Sequence, residues 1–125
     1  MGKRVLLVDD EADVLGILSE YLGAVGFEVT ALDSGRAARD AIVHAQEPFD
    51  VAVIDWGLPD ISGRDVVLAL DRCQPDCPIL VTTGHGVDVV GDQIVGTQVN
   101  AVLRKPFTMQ GLRLRIEALL QQRHD

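Results

Sequence analysis

Cysteine is scarce in this chain of 125 residues: there are two, Cys73 and Cys77, spaced C-x3-C around Gln74-Pro75-Asp76. No second cysteine or histidine pair completes a four-ligand set, which excludes a structural zinc site and leaves two free thiols near a turn. The three histidines, His44, His85 and His124, are scattered and imply no metal set. Basic residues are also few. Lys and Arg number 11 against 19 Asp and Glu, a formal charge of −8, and this balance argues against direct binding to nucleic acid or to an anionic membrane. It permits a divalent cation or a basic partner face. No apolar run approaches the roughly 20 residues of a membrane span. The opening Met1-Gly2-Lys3-Arg4 lacks the apolar core and cleavage site of a signal peptide, and Leu6 stands where a myristoylation motif wants Ser or Thr. A cytoplasmic protein is expected. Neither G-x-x-x-x-G-K-[ST] nor G-x-G-x-x-G occurs, which removes the common nucleotide-binding loops. Repeats, low-complexity tracts and internal linkers are missing as well, so one domain over 1–125 is expected, with about 121–125 a tail or linker stub.

Hydrophobic residues make up 47% of the chain, enough for a real core. They fall into short runs alternating with longer periodic stretches. Arg4 to Val8, Val51 to Ile54, Ile79 to Thr82 and Ala101 to Leu103 read as strands, the second of them buried on both faces. Phe27 to Ala31 alternates apolar and polar residues, as an edge strand does. Between the first two strands, Val14, Ile17, Leu18, Tyr21, Leu22 and Val25 form one helical stripe, ended by Gly26. Asp33 or Ser34 caps a second helix with a face of small residues, Ala37, Ala38, Ala41, Ile42 and Ala45. Ser62 with Asp65 three residues on resembles a capping box before a third helix carrying Val66, Ala69 and Leu70. Residues 85–98 read as the weakest helix, because Gly86, Gly91 and Gly96 and several β-branched residues oppose it. Thr108 caps the last helix, with Leu112, Ile116, Leu119 and Leu120 on one face. Five strands alternating with five helices predict a parallel sheet with right-handed crossovers and helices on both sides.

In such a sheet every strand's carboxyl end faces one rim, where ligands bind. The strand ends deliver Asp9 and Asp10, Asp55, Thr83 and Lys105 there, each directly after an apolar run. Taken singly, each has an ordinary explanation: helix capping for Asp9 and Asp10, a turn for Asp55 and Thr83, solvent for Lys105. Taken together they make a chemical set. Three close carboxylates repel unless a cation offsets them, and an oxygen-rich site with few protein ligands suits Mg²⁺. A carboxylate beside Mg²⁺ and an ammonium group is a nucleophile toward phosphorus, with Lys105 and Thr83 as donors to the phosphoryl oxygens. The spacing points to acyl-phosphate formation on Asp55.

Four motifs in order, Val8-Asp9-Asp10-Glu11, Ile54-Asp55 with Leu58-Pro59-Asp60 and Gly63, Thr82-Thr83-Gly84, and Lys105-Pro106-Phe107, resemble the receiver domain of two-component response regulators over essentially the whole chain. The resemblance implies a doubly wound (βα)5 three-layer sandwich of the flavodoxin-like kind, with strand order 2-1-3-4-5. It implies that Asp55 accepts a phosphoryl group from a histidine kinase or histidine phosphotransfer domain. Asp10 and Asp55, with the Gly57 carbonyl, would bind Mg²⁺, and Asp9 would act through water or orient the site. Lys105 would pair with Asp55 and then with the phosphoryl group, toward which Thr83 would move as the switch. The Lys105-Pro106 bond would be cis. No separate substrate turnover is implied, only the domain's own phosphorylation and dephosphorylation. The partners implied are the phosphodonor, an output domain or protein, and a phosphorylation-dependent second copy across the fourth and fifth helices.

The chain departs from the family pattern at Val102, where an aromatic that rotates on activation usually stands, and at Gly57 and His85, where bulkier or acidic residues tune dephosphorylation. Val102 leaves an alternative in view, a receiver-like interaction module that needs no phosphate. An Asp-nucleophile phosphatase is disfavoured, since its second acid would fall at Gly57. Trp56, the single Trp, follows Asp55 and should report on the site by its emission. The acids Glu11, Asp13 and Asp60 read as solvated rim and helix-start residues, and Arg113 and Arg115 as a solvated face.

Overall fold

A computed structural model describes residues 2–84 and 87–123. His85, Gly86, His124 and part of the expected tail therefore lie outside the described residues. The chain alternates β1 (Arg4–Val8), α1 (Ala12–Ala24), β2 (Glu28–Leu32), α2 (Gly35–His44), β3 (Val51–Asp55), α3 (Gly63–Cys73), β4 (Ile79–Thr83), α4 (Val87–Gln93), β5 (Val99–Arg104) and α5 (Met109–Arg123). All pairings are parallel and the sheet order is β2-β1-β3-β4-β5. This is the parallel sheet expected from the strand–helix alternation, in the doubly wound (βα)5 arrangement that the resemblance implies.

The period of two in a strand divides the apolar residues between two cores. Leu6, Val8, Ala52, Ile54, Ile79 and Val81 pack with Ala38 and Ile42 of α2 and Val66 and Leu70 of α3. Val5, Leu7, Val51, Val53 and Leu80 face the other way, onto Leu15, Leu18 and Leu22 of α1 and Leu112, Ile116 and Leu119 of α5. β3 and β4 are buried along their whole lengths, which explains why they lack polar alternation. β2 lies at an edge and is only partly covered.

Local signals set the element ends. Gly26 takes φ +106 just past α1, a conformation that glycine enters without steric cost. Ser34 and Ser62 accept from Ala37 N and Asp65 N, both at 3.1 Å, and Thr108 Oγ1 accepts from Gly111 N at 2.9 Å. Each hydroxyl satisfies one of the free N–H groups of a helix start. Ser34, rather than Asp33, is thus the cap of α2.

Several boundaries move. In α1 the stripe turns by part of a residue spacing. Leu15 is 9% exposed and Ile17 57%, because Leu15, Leu18 and Leu22 face the sheet while Ile17 looks outward. β2 begins at Glu28 and not Phe27, and β5 runs over Val99–Arg104. The register between β4 and β5 skips one residue, from Ile79↔Val99 to Leu80↔Ala101. The extra residue, Asn100, turns its Oδ1 back to accept from Ile79 N at 2.8 Å, so the bulge leaves that donor satisfied.

Phe49, at the entry to β3, is among the largest fully buried side chains and is 2% exposed. Phe49→Ala is expected to cost about 3–5 kcal/mol, a large share of the roughly 5–15 kcal/mol that holds a domain together. Urea unfolding monitored by circular dichroism checks this. A midpoint within error of the wild type would show that the site can collapse around the lost ring.

Candidate active site

β1, β3 and β4 end side by side, and Asp9 just past β1, Asp55 at the end of β3 and Thr83 at the end of β4 share that rim with Lys105, just past β5. Asp9 and Asp55 are 3% and 5% exposed, Thr83 is buried, and Asp10 points to solvent. Carboxylate oxygens of Asp9, Asp10 and Asp55 lie within 4.8 Å of one another. The Lys105 ammonium bridges two of these acids, donating to Asp55 Oδ2 at 3.2 Å and Asp9 Oδ2 at 3.3 Å. Its side chain is 25% exposed, so it reaches the acids from the rim.

Backbone groups hold the acids in place. Asp9 Oδ1 accepts from Glu11 N at 2.9 Å, and Asp55 Oδ1 accepts from Gly57 N at 3.0 Å. Each carboxylate closes a small turn with the second residue after it, which fixes its rotamer. The loops are registered to the sheet by Trp56 N donating to Thr82 O at 2.9 Å and Lys105 N donating to Thr83 O at 2.7 Å. The Lys105-Pro106 peptide is cis, as expected from the motif.

The electrostatics follow from this crowding. Although Asp10 is exposed, partial desolvation of its carboxyl raises its pKa, helped by its hydrogen bond to Asp55 and by repulsion from Asp55 and Asp9. Burial alone would lower the Lys105 pKa. The charges of Asp55 and Asp9 and the hydrogen bonds to both overcome it, and the net effect is a rise. Lys105 is therefore a fixed cation shared by Asp9 and Asp55, with the third carboxylate, Asp10, beside them. An all-oxygen donor set with more negative charge than one ammonium can balance fits a divalent cation such as Mg²⁺.

Asp60 does something its sequence did not disclose. Its two oxygens accept from Gly35 N and Arg36 N, both at 2.9 Å, across 25 and 24 residues. The loop after Asp55 is thereby anchored to the start of α2. Ile61 seals the contact, and a Cβ at Gly35 would come within 2.5 Å of Ile61 Cγ1. The two N–H donors hold the Asp60 carboxyl down at about 2, against an ordinary 3.8. A lowered folded-state value means stability that is present above the unfolded value and lost as pH falls through the folded one. Asp60→Asn is thus expected to lower the urea midpoint at neutral pH, with the gap to wild type narrowing from pH 3.8 toward pH 2. A gap independent of pH would remove the ionised cap. No local pattern could have revealed it, because the partners are distant backbone groups.

The residues singled out from sequence fall at this one rim: Asp9, Asp10, Asp55 with its neighbour Gly57, Thr83 and Lys105. Trp56 is half-buried beside them, and Val102 pairs with Val81 inside the sheet, part of the α2–α3 side.

Comparison with known proteins agrees with this geometry. The family model of the response regulator receiver domain matches residues 5–117, and the chain belongs to that family. The transcriptional regulatory protein PrrA of Mycobacterium tuberculosis is 38% identical over 123 residues, covering 96% of this chain and 51% of PrrA. The phosphate regulon transcriptional regulatory protein PhoB of Pseudomonas aeruginosa is 31% identical over 126 residues, 98% of this chain and 53% of PhoB. The chain thus spans about half the length of the curated relatives it matches. A CheY-like receiver domain from Methanospirillum hungatei superposes with a TM-score of 0.91 at 23% identity, over 99% of this chain and 98% of that one. A response regulator receiver protein from Sinorhizobium medicae does so with a TM-score of 0.86 at 29% identity, over 98% and 97%. Among the described residues, no helix is long and apolar enough to cross a membrane.

Proposed function

We propose that the chain is one receiver domain that takes a phosphoryl group onto Asp55 from a phosphohistidine of a kinase or phosphotransfer domain, and so changes its affinity for an output partner. The observation that carries this reading is the Lys105 ammonium seated between Asp9 and Asp55 at 3.3 and 3.2 Å, with Asp10 alongside. Structural capping needs no such shared cation.

In the proposed reaction an Asp55 carboxylate oxygen attacks phosphorus. The new O–P bond forms as the P–N bond to the donor imidazole breaks. The electron pair leaves with the imidazole nitrogen, which takes up a proton from solvent. Lys105 and the Thr83 hydroxyl are assigned to the phosphoryl oxygens, where negative charge must be met by donors already in position. Asp10, Asp55 and the Gly57 carbonyl would hold Mg²⁺, with Asp9 acting through water or orienting the site; the ion would supply positive charge to the phosphoryl oxygens. Water attacking the same phosphorus breaks the Asp55 anhydride and restores the carboxylate. No other substrate is turned over. The relatives named as transcriptional regulators support an output in the control of transcription.

The test is transfer of a radiolabelled phosphoryl group from a phosphorylated histidine domain to the full chain, with Mg²⁺ and with a chelator. Label moving to the chain only with Mg²⁺ supports the proposal. Label staying on a range of histidine donors would leave the phosphate-independent interaction module as the better reading.

A further inference from the structure

Trp56, the residue after Asp55, is tied at both ends. Its backbone N–H is fixed to Thr82 O. The first turn of α3 supports its indole: a Cβ at Gly63 would come within 2.9 Å of Trp56 Cα and 3.0 Å of ring atom Cε3. The indole Nε1–H then donates to Gln93 Oε1, and Gln93 is the last residue of α4. The Gln93 carbonyl accepts from the Arg64 guanidinium, and the same nitrogen donates to Val95 O at 3.3 Å. The last carbonyls of a helix have no partner within it, and a guanidinium satisfies them. The carboxyl end of α4 is therefore held by two residues of the segment that follows Asp55.

α4 is a short helix. It has seven residues, with Gly91 among them, far below the length at which a helix persists by itself. Among its described side chains, Val90 is the buried one.

At the other end of Trp56, both oxygens of Asp55 are in use, Oδ1 by Gly57 N and Oδ2 by Lys105. A phosphoryl group joined through Oδ2 displaces Lys105, whereas one joined through Oδ1 takes the charge that holds Gly57 N. In the second case the bond of the 56–57 peptide must be remade, and the indole hangs directly from that peptide.

We propose that Trp56, Arg64 and Gln93 form a latch that holds α4 while Asp55 is unmodified and releases it when Asp55 carries a phosphoryl group. The proposal rests on the phosphoacceptor reading of Asp55 and names its route to the surface. That route needs no ring at Val102.

The experiment loads the full chain with Mg²⁺ and beryllofluoride, a phosphoryl mimic. Fluorine NMR reports loading, Trp56 emission reports the indole, and amide NMR reports residues 90–95. In the wild type all three should change. Gln93 is exposed, so Gln93→Ala should fold normally. Its emission before loading should resemble that of the loaded wild type. Because coupling between sites is reciprocal, it should also bind beryllofluoride about fivefold tighter or more. Trp56→Phe, which loses the N–H donor, should show the same gain, and the double variant no further gain, since both remove one interaction. If both single variants load with wild-type affinity and show the full change at 90–95, the latch carries no signal. If the wild type gives no bound-fluoride resonance, the phosphoacceptor reading falls and the latch with it.

Discussion

Asp55→Asn is expected to abolish phosphoryl uptake. With Mg²⁺ and acetyl phosphate or a phosphorylated histidine domain, the wild type should gain the mass of one phosphoryl group and the variant should gain nothing. The expectation follows from the chemistry of one atom pair. An amide has no anionic oxygen to form the new bond, whereas every other element of the site would stay in place. Gly57 N can still donate to the amide oxygen, and Lys105 keeps Asp9 at 3.3 Å. The fold should therefore persist, which circular dichroism would verify. Equal uptake by the variant would mean that another residue is the acceptor.

Lys105→Met is expected to slow uptake by a factor of about 10²–10³, the usual effect of removing one charged or hydrogen-bonding group aimed at developing charge. Methionine keeps the length and apolar stem of lysine but leaves Asp9 and Asp55, both buried, without their shared cation. One consequence should separate this variant from Asp55→Asn: uptake is slowed and not lost, since the nucleophile survives. Single-turnover measurements would show it. A wild-type rate in Lys105→Met would assign the ammonium to holding the acids together only.

The acids and the lysine were legible in the sequence for a physical reason. A strand buried on both faces is an unbroken apolar run, so a charged residue directly after it marks the rim. Asp9, Asp55 and Lys105 each stand one or two residues past such a run. Where the pattern was ambiguous, the reading slipped. In α1, Leu15 lies outside the expected stripe and Ile17 inside it, yet the sheet buries Leu15 with Leu18 and Leu22, half-covers Val14 and Tyr21 and leaves Ile17 exposed. In β5, the bulge at Asn100 interrupts alternation and hid the first half of the strand. Contacts between distant segments left no trace at all. Asp60 caps α2 from 24 and 25 residues away, and Trp56 meets Gln93 across 37. Nothing in the neighbourhood of either residue encodes its partner.

The measurement that tests the central claim most directly is chemical mapping of the phosphorylated residue. The chain, phosphorylated by a histidine domain with Mg²⁺, is treated with borohydride, which reduces an acyl phosphate to an alcohol, and then digested and sequenced by mass spectrometry. The account predicts homoserine in place of Asp55 and unmodified Asp9, Asp10 and Asp60. Reduction at any other acid, or a phosphoryl group that survives borohydride on a hydroxyl side chain, would contradict it.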